Sequence, residues 1–204
     1  MTDRLPADPR IDILSRTTPY RGYFRIEKFR LRHRRFDGTW SEAMEREVFT
    51  RSPAAGVLPY DPARDAVVLI EQFRVGAYAA GVEPWLIEVV AGIVEPGETP
   101  EEVAHREAVE EAGCQILALE TIARVLPSPG GDSELIDLYC GRVDSSGVGG
   151  LHGLDHEHED IRAFVLPFAE ALARVTKAEV TNANALIALQ WLALNRDRLR
   201  QAWR

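Results

Sequence analysis

The chain has 204 residues, enough for one substantial domain with terminal elaboration and too few for two comfortable domains. Hydrophobic residues make up 46% and charged residues 27%, the balance of an ordinary globular protein, and the net charge of −8 argues against a broad basic surface for nucleic acid. Cys114 and Cys140 are too few for a disulfide framework or a metal knuckle. With no charged-then-apolar leader and no run approaching a membrane span, the expectation is a cytoplasmic protein with no membrane partner.

In chain order, residues 1–19 read as an irregular arm. Across 23–33, apolar Phe24, Ile26, Phe29 and Leu31 interleave with Arg25, Lys28, Arg30 and Arg32, which predicts a strand or a bulged strand pair. Asp37-Gly38 signals a turn and 45–49 a returning strand. Residues 20–50 thus form a hairpin-like unit with too little apolar mass to stand alone. Strands are expected at 54–59, 66–71 and 85–90, and a turn at Glu95-Pro96-Gly97. Thr99-Pro100-Glu101-Glu102 opens a helix: Thr99 caps, Pro100 suits the first position and Glu102 completes a capping box. Gly113 stops it. Further strands are expected at 117–126, 135–143 and 164–166, a long mobile loop at 145–160, and helices at 168–174 and 182–203. The order predicts an α+β fold or an α/β/α sandwich.

The decisive stretch runs from Gly92 to Cys114. On a helix, Glu107 and Glu111 stand i, i+4 and Glu107 and Glu110 stand i, i+3, so three carboxylates share one face. Their repulsion destabilises an isolated helix, and the dipole at its C-terminal end disfavours anions. Such a face is either a solvated acidic surface or the oxygen side of a divalent cation site, where the ion reverses the sign of the arrangement.

The full pattern is Gly92, five residues, Glu98, seven residues, then Arg106-Glu107-Ala108-Val109-Glu110-Glu111-Ala112-Gly113-Cys114, and it resembles the Nudix box at every fixed position. From about residue 18 to 203 the chain is similar to the bacterial ADP-ribose pyrophosphatase branch. The likeness includes Tyr20-Arg21-Gly22-Tyr23-Phe24, Val68-Leu69-Ile70-Glu71-Gln72-Phe73-Arg74, Ser128-Pro129-Gly130-Gly131 and Glu159-Asp160-Ile161-Arg162. It implies a Nudix α/β/α sandwich with a mixed sheet in 51–204. It also implies an N-terminal antiparallel strand unit in 1–50, used for dimerisation and for substrate contacts across a homodimer interface.

The resemblance also implies roles. Magnesium, with manganese as an alternative and two or more ions per site, would be held by Glu107, Glu110, Glu111, Glu159 and the Ala91 carbonyl. Gly92, Glu98, Arg106 and Gly113 would shape the box, Glu98 pairing with Arg106. Tyr23, Phe24, Arg46, Arg51, Arg74, Ile93, Ser128, Pro129, Gly130 and Glu134 would contact the nucleotide-sugar, Tyr23 and Phe24 reaching the other subunit's substrate. Pro129 matches the proline that marks ADP-ribose specificity. Glu157 would be the catalytic base, with Glu159 assisting or touching metal; His156 and His158 beside it leave a zinc site as a rival reading. The implied reaction hydrolyses ADP-ribose to AMP and ribose 5-phosphate. The alternatives are another nucleoside diphosphate sugar such as GDP-mannose, or a non-enzymatic ADP-ribose sensor, for which a degraded box and an added DNA-binding domain would be expected.

Overall fold

The computed structural model describes residues 5–154 and 158–203. It divides into a smaller unit, Met1–Pro53 with Leu126–Leu135, and a larger one, Ala54–Val125 with Ile136–Arg204. The segment 126–135 thus belongs with the N-terminal residues in the smaller unit.

The smaller unit is a three-stranded antiparallel sheet of β1 (Ile11–Arg21), β2 (Arg25–His33) and β3 (Met44–Thr50), with β2 in the middle. β1 overturns the expectation of an irregular arm. Its register on β2 shifts between Ile13 and Ser15 and again between Thr17 and Tyr20, near Pro19. Two such irregularities erase the period-two pattern by which a strand is recognised. One buried carboxylate ties the sheet together. Glu27 on β2, 5% exposed, accepts bonds from Arg16 Nη2 on β1 at 2.7 and 2.9 Å and from Thr50 Oγ1 on β3 at 3.2 Å. The segment 126–135 is bonded to β3: Phe49 N–H donates to the Gly131 carbonyl at 2.7 Å, and Ser133 N–H returns a bond to Phe49 at 3.1 Å.

The larger unit is a mixed sheet between helices. Its main path orders β10 (Gly150–His152), β11 (Ile161–Pro167), β5 (Ala66–Phe73), β4 (Ala54–Asp61), β9 (Ile136–Arg142) and β8 (Ala118–Val125), with β6 (Trp85–Glu88) on β5 and β7 (Val90–Ile93) on β4. Only the β4–β9 pair in this sheet is parallel. Because side chains alternate along a strand, Val68 and Ile70 face α2 (Pro100–Ala112), while Val67 and Leu69 face α3 (Phe168–Thr176) and α4 (Ala183–Ala202). Both sides are fully buried, as expected of a sandwich.

Two local departures matter for the site. The strand expected over 85–90 is two strands: β4 pairs β5 only at Tyr60 and Asp61, and beyond that point β6 follows β5 while β7 follows β4. The loop expected over 145–160 contains β10, which its three residues and flanking glycines hide. A short helix, α1 (Val75–Ala79), lies between β5 and β6 and buries no residue. It has no apolar stripe to announce it.

Candidate functional site

Helix α2 is built by local signals. Thr99 Oγ1 accepts from Glu102 N–H at 3.3 Å, and the Glu102 carboxylate accepts from Thr99 N–H at 2.8 Å. Pro100 occupies the first turn, and Gly113 closes the helix at φ 63°. Ala104, Ala108, Glu111 and Ala112 fall on one stripe, so packing the alanines on the sheet carries Glu111 inward with them. Glu111 is only 2% exposed, and its Oε2 accepts a bond from Ala91 N–H at 2.9 Å. Burial, then repulsion from Glu107 and Glu159, pushes its carboxyl up to about 8 against the help of that N–H.

Glu107 lies one turn earlier. Burial raises its pKa, partly offset by Arg106 and reinforced by Glu110 and Glu159. A Cβ on Gly92 would stand 1.7 Å from Glu107 Oε1, so any other residue at 92 would displace this carboxylate. That is the physical reason for glycine there. Arg106 braces the loop on the helix: Nε and Nη2 reach Glu98 at 3.1 and 3.3 Å, while Nη1 reaches Glu107 at 2.7 Å and Glu110 at 3.0 Å. Glu98 also accepts from Glu95 N–H at 3.1 Å, closing the turn before the helix.

Glu159 lies near enough for its charge to act on Glu107, Glu111 and Arg74. Its N–H donates to the Leu154 carbonyl at 3.4 Å, and Gly153 at φ 103° is packed so closely that a Cβ would meet Glu159 Cβ at 2.8 Å. Glu157 and His156 lie outside the described residues. Among the described residues, no three histidine, cysteine or carboxylate side chains stand together as a ready ligand cluster. The donor chemistry nonetheless suits a hard cation. It is all oxygen, crowded with like charge, and holds one acid that is buried without an ion-pair partner.

Arg74 also belongs to the larger unit. Its guanidinium pairs with Glu88, Nη2 to Oε2 at 2.7 Å and Nε to both oxygens at 3.2 Å. Glu88 was not anticipated from the sequence, although an acid inside the apolar run Trp85-Leu86-Ile87-Glu88-Val89-Val90 is a visible anomaly. Ile93 ends β7 half-exposed.

The other candidate substrate contacts are in the smaller unit. Arg51 Nη1 pairs with Glu134 Oε2 at 3.1 Å, and its guanidinium lies over Phe24 at 5.1 Å and Phe49 at 6.0 Å. Tyr23 packs edge-on against Phe24 at 4.7 Å and is 85% exposed. The Ser128 carbonyl accepts from Gly131 and Asp132 N–H, making an exposed turn of Ser128, Pro129 and Gly130. Arg46 is exposed and its side chain bonds the Glu45 carbonyl at 2.7 Å, whereas Arg51 pairs with Glu134. Arg32 on β2 pairs with Asp12 on β1, and both Arg32 and Arg34 stack on Trp40.

Comparison with known proteins adds the family. The NUDIX domain profile matches residues 50–189. The ADP-ribose pyrophosphatase of Escherichia coli (strain K12) is 46% identical over 193 residues, spanning 95% of this chain and 92% of that protein. The GDP-mannose pyrophosphatase of Cronobacter sakazakii is 37% identical over 151 residues, 74% of this chain and 78% of that protein. A solved structure, described as that of an ADP compounds hydrolase, superposes with a TM-score of 0.69 at 21% identity, covering 97% of this chain and 98% of its own; it is a likeness of fold. The profile, the identity and the intact box on α2 agree: the chain belongs to the Nudix family.

Proposed function

We propose that the protein hydrolyses the pyrophosphate of ADP-ribose to AMP and ribose 5-phosphate. The observation that carries this reading is the 46% identity to an ADP-ribose pyrophosphatase over 95% of the chain, a share too large to leave out more than a small part of the smaller unit. The GDP-mannose pyrophosphatase aligns over less of the chain at lower identity, which makes GDP-mannose the second candidate substrate.

Glu107, Glu110, Glu111, Glu159 and the Ala91 carbonyl would hold magnesium, or manganese, as two or more ions. Bound there, the cations supply charge neutralisation for the diphosphate and acidify the attacking water. The residues do the rest. Arg106 spreads its charge over Glu98, Glu107 and Glu110 and fixes their rotamers. Gly92 leaves room for Glu107. Glu157 takes the proton from water and Glu159 assists. Arg74 bears on the diphosphate from the larger unit. In the smaller unit, Arg51, Phe24 and Glu134 offer a cation, a ring face and a hydrogen-bond acceptor suited to a nucleoside, with Arg46 and the Ser128–Gly130 turn (residues 128–130) as further contacts.

The working form is a homodimer made through the N-terminal strands. Ile11, Ile13, Leu14 and Tyr20 on β1 are exposed apolar side chains suited to burial against a second copy. Cys114 and Cys140 are both free and buried, which suits a reducing compartment such as the cytoplasm.

Purified protein with magnesium, offered ADP-ribose, GDP-mannose, ADP-glucose and NADH in parallel, tests the proposal. ADP-ribose is expected to give AMP with the highest kcat/KM. A higher value for GDP-mannose would transfer the assignment, and binding of ADP-ribose without turnover would favour the sensor.

A further inference from the structure

The larger unit buries a second carboxylate that the metal face does not use. Glu88, at the end of β6, is 4% exposed, and three side chains converge on it. Arg74, after β5, gives it three hydrogen bonds. Gln72 on β5 donates from Nε2 to Oε2 at 3.5 Å. Asn182 donates from Nδ2 to Oε1 at 3.1 Å while its own Oδ1 caps α4 by accepting from Ala185 N–H at 3.0 Å. Both ends of the Asn182 amide are therefore committed, one to the helix and one to Glu88.

Arg74 is fixed twice over. Its N–H donates to the Pro84 carbonyl at 2.8 Å, and its carbonyl accepts from Ala77 and Tyr78 at 3.0 and 3.2 Å. Its guanidinium is gripped along the edge formed by Nε and Nη2, yet 43% of the side chain stays accessible against 5% for Glu88. Among the described residues, Nη1 takes no partner. An arginine held along one edge and open along the other presents a fork whose rotamer entropy is already spent, a grip that lysine's single ammonium cannot supply. The arginine also shares the field of the metal face. Burial opposes its charge, but Glu88, then Glu111 and Glu159, more than offset that and raise its pKa.

We infer that Glu88, bracketed by Gln72 and Asn182, is a positioning residue that holds Arg74 with its outer edge ready for the substrate diphosphate. The inference rests on the reading above that Arg74 touches substrate, and it extends the working site to the first residue of the C-terminal helix segment. An arginine on a phosphoryl group acts where charge develops, so a loss of alignment appears mainly in kcat.

The test is a double-mutant cycle on kcat and KM with ADP-ribose and magnesium. Glu88→Gln keeps the volume and the contacts to Gln72 and Asn182 but removes the charge; kcat/KM is expected to fall about 10- to 100-fold, mostly in kcat. In an Arg74→Ala background the same change should cost less than about twofold, because nothing remains to be positioned. Equal losses in both backgrounds would make Glu88 merely structural and overturn the inference, as would a severe Arg74→Ala with a silent Glu88→Gln. A silent Arg74→Ala would instead sink the reading on which it rests. Should the Glu88 variants fail to fold, Asn182→Ser decides. Serine still caps the helix but cannot reach with an amide donor. A kcat loss of about twofold or more at unchanged melting temperature supports the inference, and unchanged kcat overturns it.

Discussion

The smaller unit buries its acids against arginines, as the larger unit does with Glu88, whereas Glu111 in the larger unit lies among like charges. In the smaller unit Glu27 is met by the Arg16 guanidinium and the Thr50 hydroxyl, and Glu134 by Arg51. Each acid has an arginine against it. In the larger unit Glu111 is buried as deeply, and there burial, with repulsion from Glu107 and Glu159, outweighs the Ala91 N–H bond and the attraction of Arg74, so its carboxyl rises to about 8. A buried acid with a partner holds strands together or presents an arginine. One placed among like charges, on a helix whose own dipole opposes it, lowers stability unless a cation joins it. The same residue type is thus buried against an arginine at Glu27 and among like charges at Glu111, and burial alone does not separate the two.

The sharpest way to break this contrast is to neutralise one acid of each kind. Glu111→Gln should lower kcat by roughly three orders of magnitude, since an ion that contributes several kcal/mol to the transition state loses an anionic ligand. The fold should not suffer. In chelator the variant is expected to melt no lower than the parent, because a buried acid that must either bear a repelled charge or take up a proton has been replaced by a neutral amide. Magnesium at about 100 times its Kd should stabilise the parent by about 2.7 kcal/mol and the variant far less. Retention of more than about a tenth of the parent kcat at saturating magnesium would end the metal assignment. Next in size is Gly92→Ala. Its methyl group would meet Glu107 Oε1 at 1.7 Å, so the carboxylate must swing aside. Misplacing one ligand by an ångström or so should cost about 100-fold in kcat with little loss of stability. A loss of stability without loss of turnover would show that Gly92 serves the backbone alone.

The sequence discloses these places unevenly, for physical reasons. Everything decided within one turn of chain is readable. The capping box at Thr99 and Glu102, the stop at Gly113 and the shared face of Glu107, Glu110 and Glu111 are local facts, and α2 stands where they put it. Even the burial of Glu111 follows from its place beside Ala108 and Ala112 on the packed stripe. What depends on distant partners is not readable in that way. β1 hides behind two register shifts, and the divergence of β6 from β7 is set by which neighbour each finds. Glu88 meets an amide 94 positions away, and Arg51 a carboxylate 83 positions away. The role of Glu157 falls outside the described residues and rests on the resemblance alone.

In the smaller unit the matching change is Glu27→Gln. It leaves Arg16 facing a neutral amide in a site where the acid was 5% exposed, and breaking a buried pair from one side costs about 3 kcal/mol. All three strands meet at this residue, so β1 and β3 should loosen together. Thermal unfolding should show the loss equally with and without magnesium. If magnesium restores the variant, Glu27 is not a simple fastener and the contrast with Glu111 fails.

The smallest effect is expected where an arginine–acid pair is proposed to face a nucleoside. Glu134→Ala removes the partner of Arg51, whose side chain is 32% exposed and rests on Phe24 and Phe49. Water and the two rings can still accommodate the guanidinium, so the fold should lose about 1 kcal/mol or less. A hydrogen-bond acceptor for the nucleoside would act alike on bound substrate and transition state. Its removal should therefore raise KM about tenfold and change kcat by less than about twofold. Arg46→Ala sharpens the point: Arg46 is exposed and bonds a neighbouring carbonyl, so its KM effect should be the smaller of the two. Should Arg46→Ala raise KM more than Glu134→Ala, the nucleoside is read along the exposed face of β3 and the Arg51–Glu134 pair is a fastener like Arg16–Glu27. Should neither move KM for ADP-ribose, the smaller unit does not read the nucleotide at all. Its acid–arginine pairs would then be explained by strand pairing alone.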